Sequence, residues 1–217
     1  MFRSSSFFHA VAFPYELLTR HPIWEDHCAR MARELPEGAR RVLDLGCGPG
    51  NSTAHLRGAV GAGAVGADYA WAMLSRARRR VPGLPLLCAD GTHLPVRSGA
   101  LDGITLHSVL YLLPDRRAAL REMMRALRPG GRVVLLEPRS GWRATLRGLT
   151  RALPRPLWAL TVLAWRTMSR AYGRFSETSL RALLEEAGLR VLKIVPALDG
   201  LGLLAVAERG RDGGAPA

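Results

Sequence analysis

The residues best suited to chemistry lie in one stretch, Val42-Leu43-Asp44-Leu45-Gly46-Cys47-Gly48-Pro49-Gly50-Asn51-Ser52-Thr53. An apolar run ends in D-x-G-x-G-x-G and passes into a helix-like segment. Glycines at 46, 48 and 50 let the backbone turn sharply and let a ligand approach the main chain and the helix N-terminus. A second acid, Asp68, ends the next apolar run 22 residues after Gly46, where a carboxylate can accept both hydroxyls of a ribose. A glycine loop with such an acid suits a nucleotide-like ligand. The spacing narrows the choice. Position 51 is Asn, so the dinucleotide pattern G-x-G-x-x-G fails. The phosphate loop G-x-x-x-x-G-K-[ST] is missing as well, and Lys193 is the sole lysine of the chain. His9, His21 and His27 share no metal-ligand spacing with cysteines or acids, and no metal is expected.

These residues need a scaffold, and the pattern around them supplies one. From residue 41 the chain alternates strand-like and helix-like stretches. Strands are predicted at Arg41–Gly46, Gly63–Asp68, Leu84–Ala89, Leu101–His107 and Arg132–Glu137. Between the last two, a helix is predicted over Asp115–Leu127, with Asp115 as N-cap behind Pro114 and Pro129-Gly130-Gly131 as its stop. Such an order implies a parallel sheet covered by helices on both faces. After a segment of different character (139–175), a helix resumes at Ser176–Ala187, and strands follow at Leu189–Pro196 and Leu201–Glu208. The link between these two is too short for a parallel crossover, so the last pair should be antiparallel. The fold class is α/β, a Rossmann-like doubly wound sheet of seven strands, mostly parallel, with a helical lid insertion. Its parts are N-terminal helices (1–40), a core with the glycine loop (41–138), an inserted segment (139–175), the rest of the core (176–208) and a polar disordered tail (209–217). All belong to one domain.

Composition bounds the function class. With 48% hydrophobic and 23% charged residues, the chain can bury a core, which excludes global disorder. Cys28, Cys47 and Cys88 are scattered and odd in number, which argues against a disulfide framework or zinc knot and for a reducing, cytoplasmic compartment. No uncharged apolar run reaches the ~18–20 residues of a membrane span. Pro14 and Glu16 interrupt the N-terminal apolar stretch, so no secretory leader is expected. The net charge of +13, from 31 basic and 18 acidic residues, says little about partners until its location is known.

The motifs in order resemble a class I S-adenosylmethionine-dependent methyltransferase, of the group that includes the ubiquinone/menaquinone C-methyltransferases and many small-molecule methyltransferases. VLDLGCGPGNST is similar to the family's first motif and VGADYAWAMLSRAR to its second strand with the ribose-binding acid. LCADGTHLPVRSGALDGITLHSVLYLLPD matches the adenine-binding acid and the fourth strand, and LRPGGRVVLLEP the fifth. The resemblance covers roughly residues 10–208, and on that basis residues 1–40 and 139–175 would be lids and 41–138 the cofactor-binding part. It implies that S-adenosylmethionine, leaving as S-adenosylhomocysteine, is held by Asp44, Gly46, Cys47, Gly48, Gly50, Asp68, Tyr69, Met73, Asp90, Gly91 and His107. Asp68 would hold the ribose hydroxyls, Asp90 would accept from the adenine amino group beside Gly91, and Tyr69 would pack on the adenine. Asp44 either orients the methionine ammonium or ties down the loop.

Methyl transfer from a sulfonium is an in-line displacement whose electrophile the cofactor supplies. The protein must hold acceptor and methyl together and exclude water. Where the acceptor loses a proton, His107, at the end of the fourth strand, is the best-placed base; its alternative is to hydrogen-bond the cofactor or nearby backbone. Tyr111 faces the acceptor or packs. Tyr15 matches a family tyrosine that lies over the bound cofactor.

The acceptor is expected to be a hydrophobic or amphipathic small molecule, on account of residues 138–176. That segment has eight arginines and no acid. Arg139, Arg143, Arg147, Arg151 and Arg155 recur every fourth residue, and Arg166, Arg170 and Arg174 follow the same rule, a slowly drifting stripe on a helix. Opposite fall Trp142, Leu146, Leu149 and Leu153, and then the uncharged run Leu157–Trp165. This is the pattern of an interfacial helix. Two readings follow: a lid with solvated arginines, or a lid that also touches anionic membrane through 139–170. A nucleic-acid substrate is not expected, because His107-Ser108-Val109-Leu110 stands where base-amine methyltransferases carry an N/D-P-P-Y-like motif.

Overall fold

The computed structural model describes residues 22–141, 146, 150, 152–154 and 156–211. Seven strands form one sheet in the order β3-β2-β1-β4-β5-β7-β6, with β1 Val42–Leu45, β2 Ala64–Asp68, β3 Leu86–Cys88, β4 Leu101–His107, β5 Leu127–Pro138, β6 Leu189–Ala197 and β7 Gly202–Arg209. Pairs β1–β2, β1–β4, β2–β3 and β4–β5 are parallel. Strand β7 is antiparallel to both β5 and β6, so it alone runs against the others. The helices are α1 Pro22–Arg33, α2 Asn51–Val60, α3 Trp71–Arg80, α4 Arg116–Ala126, α5 Pro156–Tyr172 and α6 Glu177–Glu186.

The two-residue period of a strand builds two cores, one on each face. In β5, Val133 and Leu135 join Ile104, Leu106, Leu120, Met123, Leu180 and Leu184 under α4 and α6. Val134 and Leu136 join Trp24, Met31, Leu56, Trp158, Val162 and Trp165 under α1, α2 and α5. Helix α1, in the stretch expected to be lid, therefore contributes Trp24, Cys28 and Met31 to the second core. Asp115 caps α4 by accepting from the Ala118 amide at 2.8 Å, as its place behind Pro114 predicts. Ser176 and Ser179 close a reciprocal capping box at the start of α6.

Several boundaries differ from the sequence expectation. Strand β5 starts at Leu127, directly after α4, because Leu101 pairs with Leu127 before the register jumps to Gly103 and Arg132. The Pro129-Gly130-Gly131 stop is thus an irregularity inside the strand pairing. Strand β3 is shorter than predicted, Leu86–Cys88. Arg209 belongs to β7 and not to the tail: its guanidinium donates to the carbonyls of Met124, Arg125 and Leu127, where a helix C-terminus favours a cation. The remainder of the expected tail, 212–217, lies outside the described residues.

Asp102 fastens the start of β4, the central strand. Its carboxylate accepts from the Arg40 and Arg41 amides at 2.9 and 2.8 Å and from Arg128 Nε at 2.6 Å. Burial works against its charge, but the Arg128 guanidinium and the two amides hold the carboxyl well below the usual carboxylate range.

Candidate active site

The glycine loop is built around a buried acid. Asp44 and Thr105 are register partners on β1 and β4, so their side chains share a face. Thr105 Oγ1 donates to Asp44 Oδ1 at 2.9 Å, and Ser52 and Thr53, in the first turn of α2, donate to Oδ2 at 2.5 and 2.7 Å. The Asp44 residue is 1% exposed. These bonds tie β1 to β4 and to the start of α2. Gly46 sits at φ 73, and a side chain there would begin 2.3 Å from Val109 Cγ2, so both conformation and space require glycine. Gly48 and Gly50 take φ 52 and 86. Helix α2 starts on Gly50 without a side-chain cap hydrogen bond, beside the glycine turn.

Asp68 closes β2 beside this turn. The Gly48 amide donates to its Oδ2 at 2.9 Å and the Ala70 amide to its Oδ1 at 2.8 Å. Burial raises the Asp68 carboxyl pKa, and the two amides oppose that rise. Asp68 pairs with Cys88 across β2–β3, so Asp90, two residues on, follows at the adjacent strand end. Asp90 is exposed, and its Oδ1 accepts from the Thr92 amide and hydroxyl, both at 2.8 Å. Gly91 is buried, with Leu45 Cδ2 3.4 Å from where a side chain would begin. Tyr69 is 55% exposed at the same edge, whereas Met73 is buried in the first turn of α3. Cys47 is buried, its Sγ 3.0 Å from the side-chain position of Gly66 on β2. Burial pushes the Cys47 thiol up, so it is no thiolate nucleophile.

His107 ends β4 on the same face as Asp44 and Thr105 and is 3% exposed. Its Nε2 is 3.8 Å from Asp44 Oδ1, and its Nδ1 is 3.6 Å from Cys28 Sγ on α1. Burial lowers its pKa, with Asp44 partly offsetting. Tyr111 is 1% exposed within the first core. Tyr15 lies outside the described residues.

Sequence reasoning missed a second buried acid. Glu137, at the end of β5, is fully buried and accepts from the amides of Val109, Leu110 and Tyr111 at 3.0, 2.8 and 3.1 Å. It thereby fixes the tight turn after His107. Burial pushes Glu137 up to about 7 against the pull of those amides and of Arg116. The available signal was its place in LRPGGRVVLLEP, an acid inside an otherwise apolar strand end. Ser108, between His107 and this turn, sits at φ 64, a conformation rare for a non-glycine residue. Its Oγ accepts from the Trp165 indole at 2.7 Å, and Arg116 Nη2 donates to the carbonyls of Tyr111 and Tyr172 at 2.8 and 2.7 Å. Helix α5 is therefore fastened over the ends of β4 and β5.

The arginine pattern needs correction at this helix. Arg166 was expected on a solvated stripe, yet it is 3% exposed. It donates to the Arg139 carbonyl at 2.7 Å, and Arg174 in turn donates to the Arg166 carbonyl. Burial, then the nearby Arg174, lowers the Arg166 pKa to about 10. The reason is that Trp158, Val162, Trp165 and Ser169 place Arg166 on the inward face. Arg143, Arg147, Arg151 and Arg155 lie outside the described residues. Among the described residues no three histidines, cysteines or acids cluster as a metal site would require, and no helix is long and apolar enough to cross a membrane.

Residues 43–135 match the model of a methyltransferase domain. The chain is 36% identical over 197 residues to a demethylmenaquinone methyltransferase of Mycobacterium sp. (strain KMS), covering 85% of this chain and 80% of that protein. In fold, it superimposes with TM-score 0.71 on a chain of the complex between the Haloferax volcanii Trm112 methyltransferase activator and a methyltransferase, at 20% identity over 94% of this chain and 97% of that one. It also superimposes with TM-score 0.65 on geranyl diphosphate C-methyltransferase from Streptomyces coelicolor A3(2), solved with Mg2+, geranyl diphosphate and S-adenosyl-L-homocysteine, at 13% identity over 88% and 84%. With its glycine loop, strand-end acids and strand order, the chain belongs to the class I S-adenosylmethionine-dependent methyltransferases, in the group that includes the ubiquinone/menaquinone C-methyltransferases.

Proposed function

We propose that the chain methylates a quinol-like, hydrophobic ring compound. The observation that carries this reading is the fastening of an apolar helix, through Trp165 and Ser108, over the strand ends where the cofactor-type loop lies. Such an arrangement would put carbon-rich surface over the site and keep water from it. The 36% identity to a demethylmenaquinone methyltransferase supports the same acceptor class.

The donor set fits S-adenosylmethionine. Asp68 keeps lone pairs beyond those used by Gly48 and Ala70 and would accept from the ribose hydroxyls. The exposed Asp90 and Tyr69 would meet the adenine, and the uncapped start of α2 would face the methionine end. The cofactor supplies an electrophilic methyl group. The chain's own residues bind, orient and keep the site dry. Asp44 and Cys28 flank the two ring nitrogens of His107, so we assign His107 as a positioning residue that fills the space between α1 and the loop. Asp44 holds the loop through its three hydroxyl donors.

Incubation with labelled S-adenosylmethionine and a short-chain demethylated naphthoquinol should give a product heavier by one methyl group, whereas hydrophilic amines should give none. Failure of both S-adenosylmethionine and S-adenosylhomocysteine to bind in calorimetry would sink the reading. For His107→Gln, the turnover pH profile should keep its shape with a change of less than ~10-fold. Loss of one limb of the profile and a drop of ~100-fold would instead make His107 the base.

A further inference from the structure

Helix α5 is apolar on two faces, and only one of them is used. Trp158, Val162 and Trp165 turn onto the second core. Leu160, Leu163, Ala164 and Thr167 recur at the i, i+3, i+4, i+7 spacing of the opposite face and are exposed. Leu160 is 60% and Leu163 54% exposed, and Leu153, just ahead of the helix, is 70% exposed. A single exposed leucine needs no explanation, but two on one face of α5, with a third just ahead of the helix, mark an interaction surface.

Charge decides what the surface meets. Residues 138–176 hold eight arginines and no acid. Arg166 is spent on a carbonyl within the fold and Arg139 on Glu177. Arg170 is exposed in the last turn of α5, and Arg143, Arg147, Arg151 and Arg155 precede Leu160 in the same acid-free stretch. A second copy would bring like charges onto like. A surface of phosphate headgroups over hydrocarbon matches both features, arginines for the one and leucines for the other. We propose that the outer face of α5, with Leu153, docks in the plane of an anionic lipid bilayer. The inference deepens the proposed acceptor, because the same helix covers the site through Trp165, and a lipid-dissolved ring would reach it from the docked side. Docking itself does not depend on that acceptor.

The test is co-flotation of the full chain with vesicles of phosphatidylcholine containing about a third phosphatidylglycerol, against pure phosphatidylcholine. The parent should float with the anionic vesicles at low salt and leave them at ~0.5 M salt. The doubly substituted Leu160→Glu, Leu163→Glu chain should bind at least ~10-fold more weakly, with unchanged melting temperature and S-adenosylhomocysteine affinity. The proposal is overturned if the parent stays soluble, if neutral vesicles bind it equally, or if the double variant floats like the parent. It is also overturned if sedimentation shows a parent dimer that the double variant converts to monomer, since the face then belongs to a second copy. S-adenosylhomocysteine binding, measured separately, reports on the methyltransferase reading, so the two can fail independently.

Discussion

The amide of Gly48 donates to Asp68 Oδ2 at 2.9 Å, so the acid at the end of β2 is also a support of the glycine loop. The other carboxylate oxygen holds the Ala70 amide that leads into α3. One side chain thus shapes the loop, and in the proposed site its remaining lone pairs would meet the ribose hydroxyls. Asp68→Ala should weaken S-adenosylhomocysteine binding by about 10- to 100-fold, the worth of bonds to a charged acceptor. It should also lower the melting temperature, because two amides lose their partner. Asp68→Asn keeps one acceptor oxygen and should fall between. Calorimetry and thermal melts of the three proteins check this, and parent-like titration by Asp68→Ala would show that the ribose lies elsewhere.

Glu137 gives the fold a pH-dependent component. Its carboxyl titrates near 7 in the folded chain against an ordinary value of 4.5, so the folded state keeps the proton where the unfolded state has lost it. The stability it contributes is full below about 4.5 and is lost as pH rises through about 7. Lowering of the His107 pKa by burial acts oppositely: its contribution is present above the usual 6.5 and lost as pH falls below it. The difference in unfolding free energy between the parent and Glu137→Gln isolates the first effect. That difference should shrink by roughly 3 kcal/mol from pH 4.5 to above pH 7 and then stay level, as urea titrations at several pH values would show. A flat difference would mean that the folded carboxyl titrates where the unfolded one does, the three amides fully offsetting its burial.

The seven strands and their directions were legible because apolar runs, glycine turns and the short last connection are local signals. Asp44, the glycines, Asp68 and Asp90 were legible for the same reason, each ending a recognisable run. The partners of Asp44 were not. Thr105 is 61 residues away in sequence and becomes a neighbour only through the β1–β4 register, which periodicity does not give. Glu137 was hidden in the same way, its three amide donors coming from the turn after another strand. Arg166 shows the opposite failure. A four-residue repeat suggested a solvated stripe, but the tryptophans at 158 and 165 set which face turns inward, and the arginine went with them.

The link between Trp165 and Ser108 offers the sharpest separation of lid from cofactor site. Trp165→Phe preserves most of the packing and removes the donor to Ser108 Oγ, at a cost of about 1 kcal/mol. Ser108→Ala removes the acceptor and keeps the left-handed backbone, whereas Ser108→Gly removes the acceptor and relieves the strain. Ser108→Gly should therefore melt no lower than Ser108→Ala. In a double-mutant cycle, Trp165→Phe and Ser108→Ala together should cost less than the sum of the two, with a coupling near ~1 kcal/mol. If α5 covers the acceptor as proposed, their effect should fall on the KM for the acceptor, while affinity for S-adenosylhomocysteine stays at the parent level. Additive costs would show that the indole bond carries no energy, and an equal loss of cofactor affinity would show that α5 supports the glycine loop and not the acceptor.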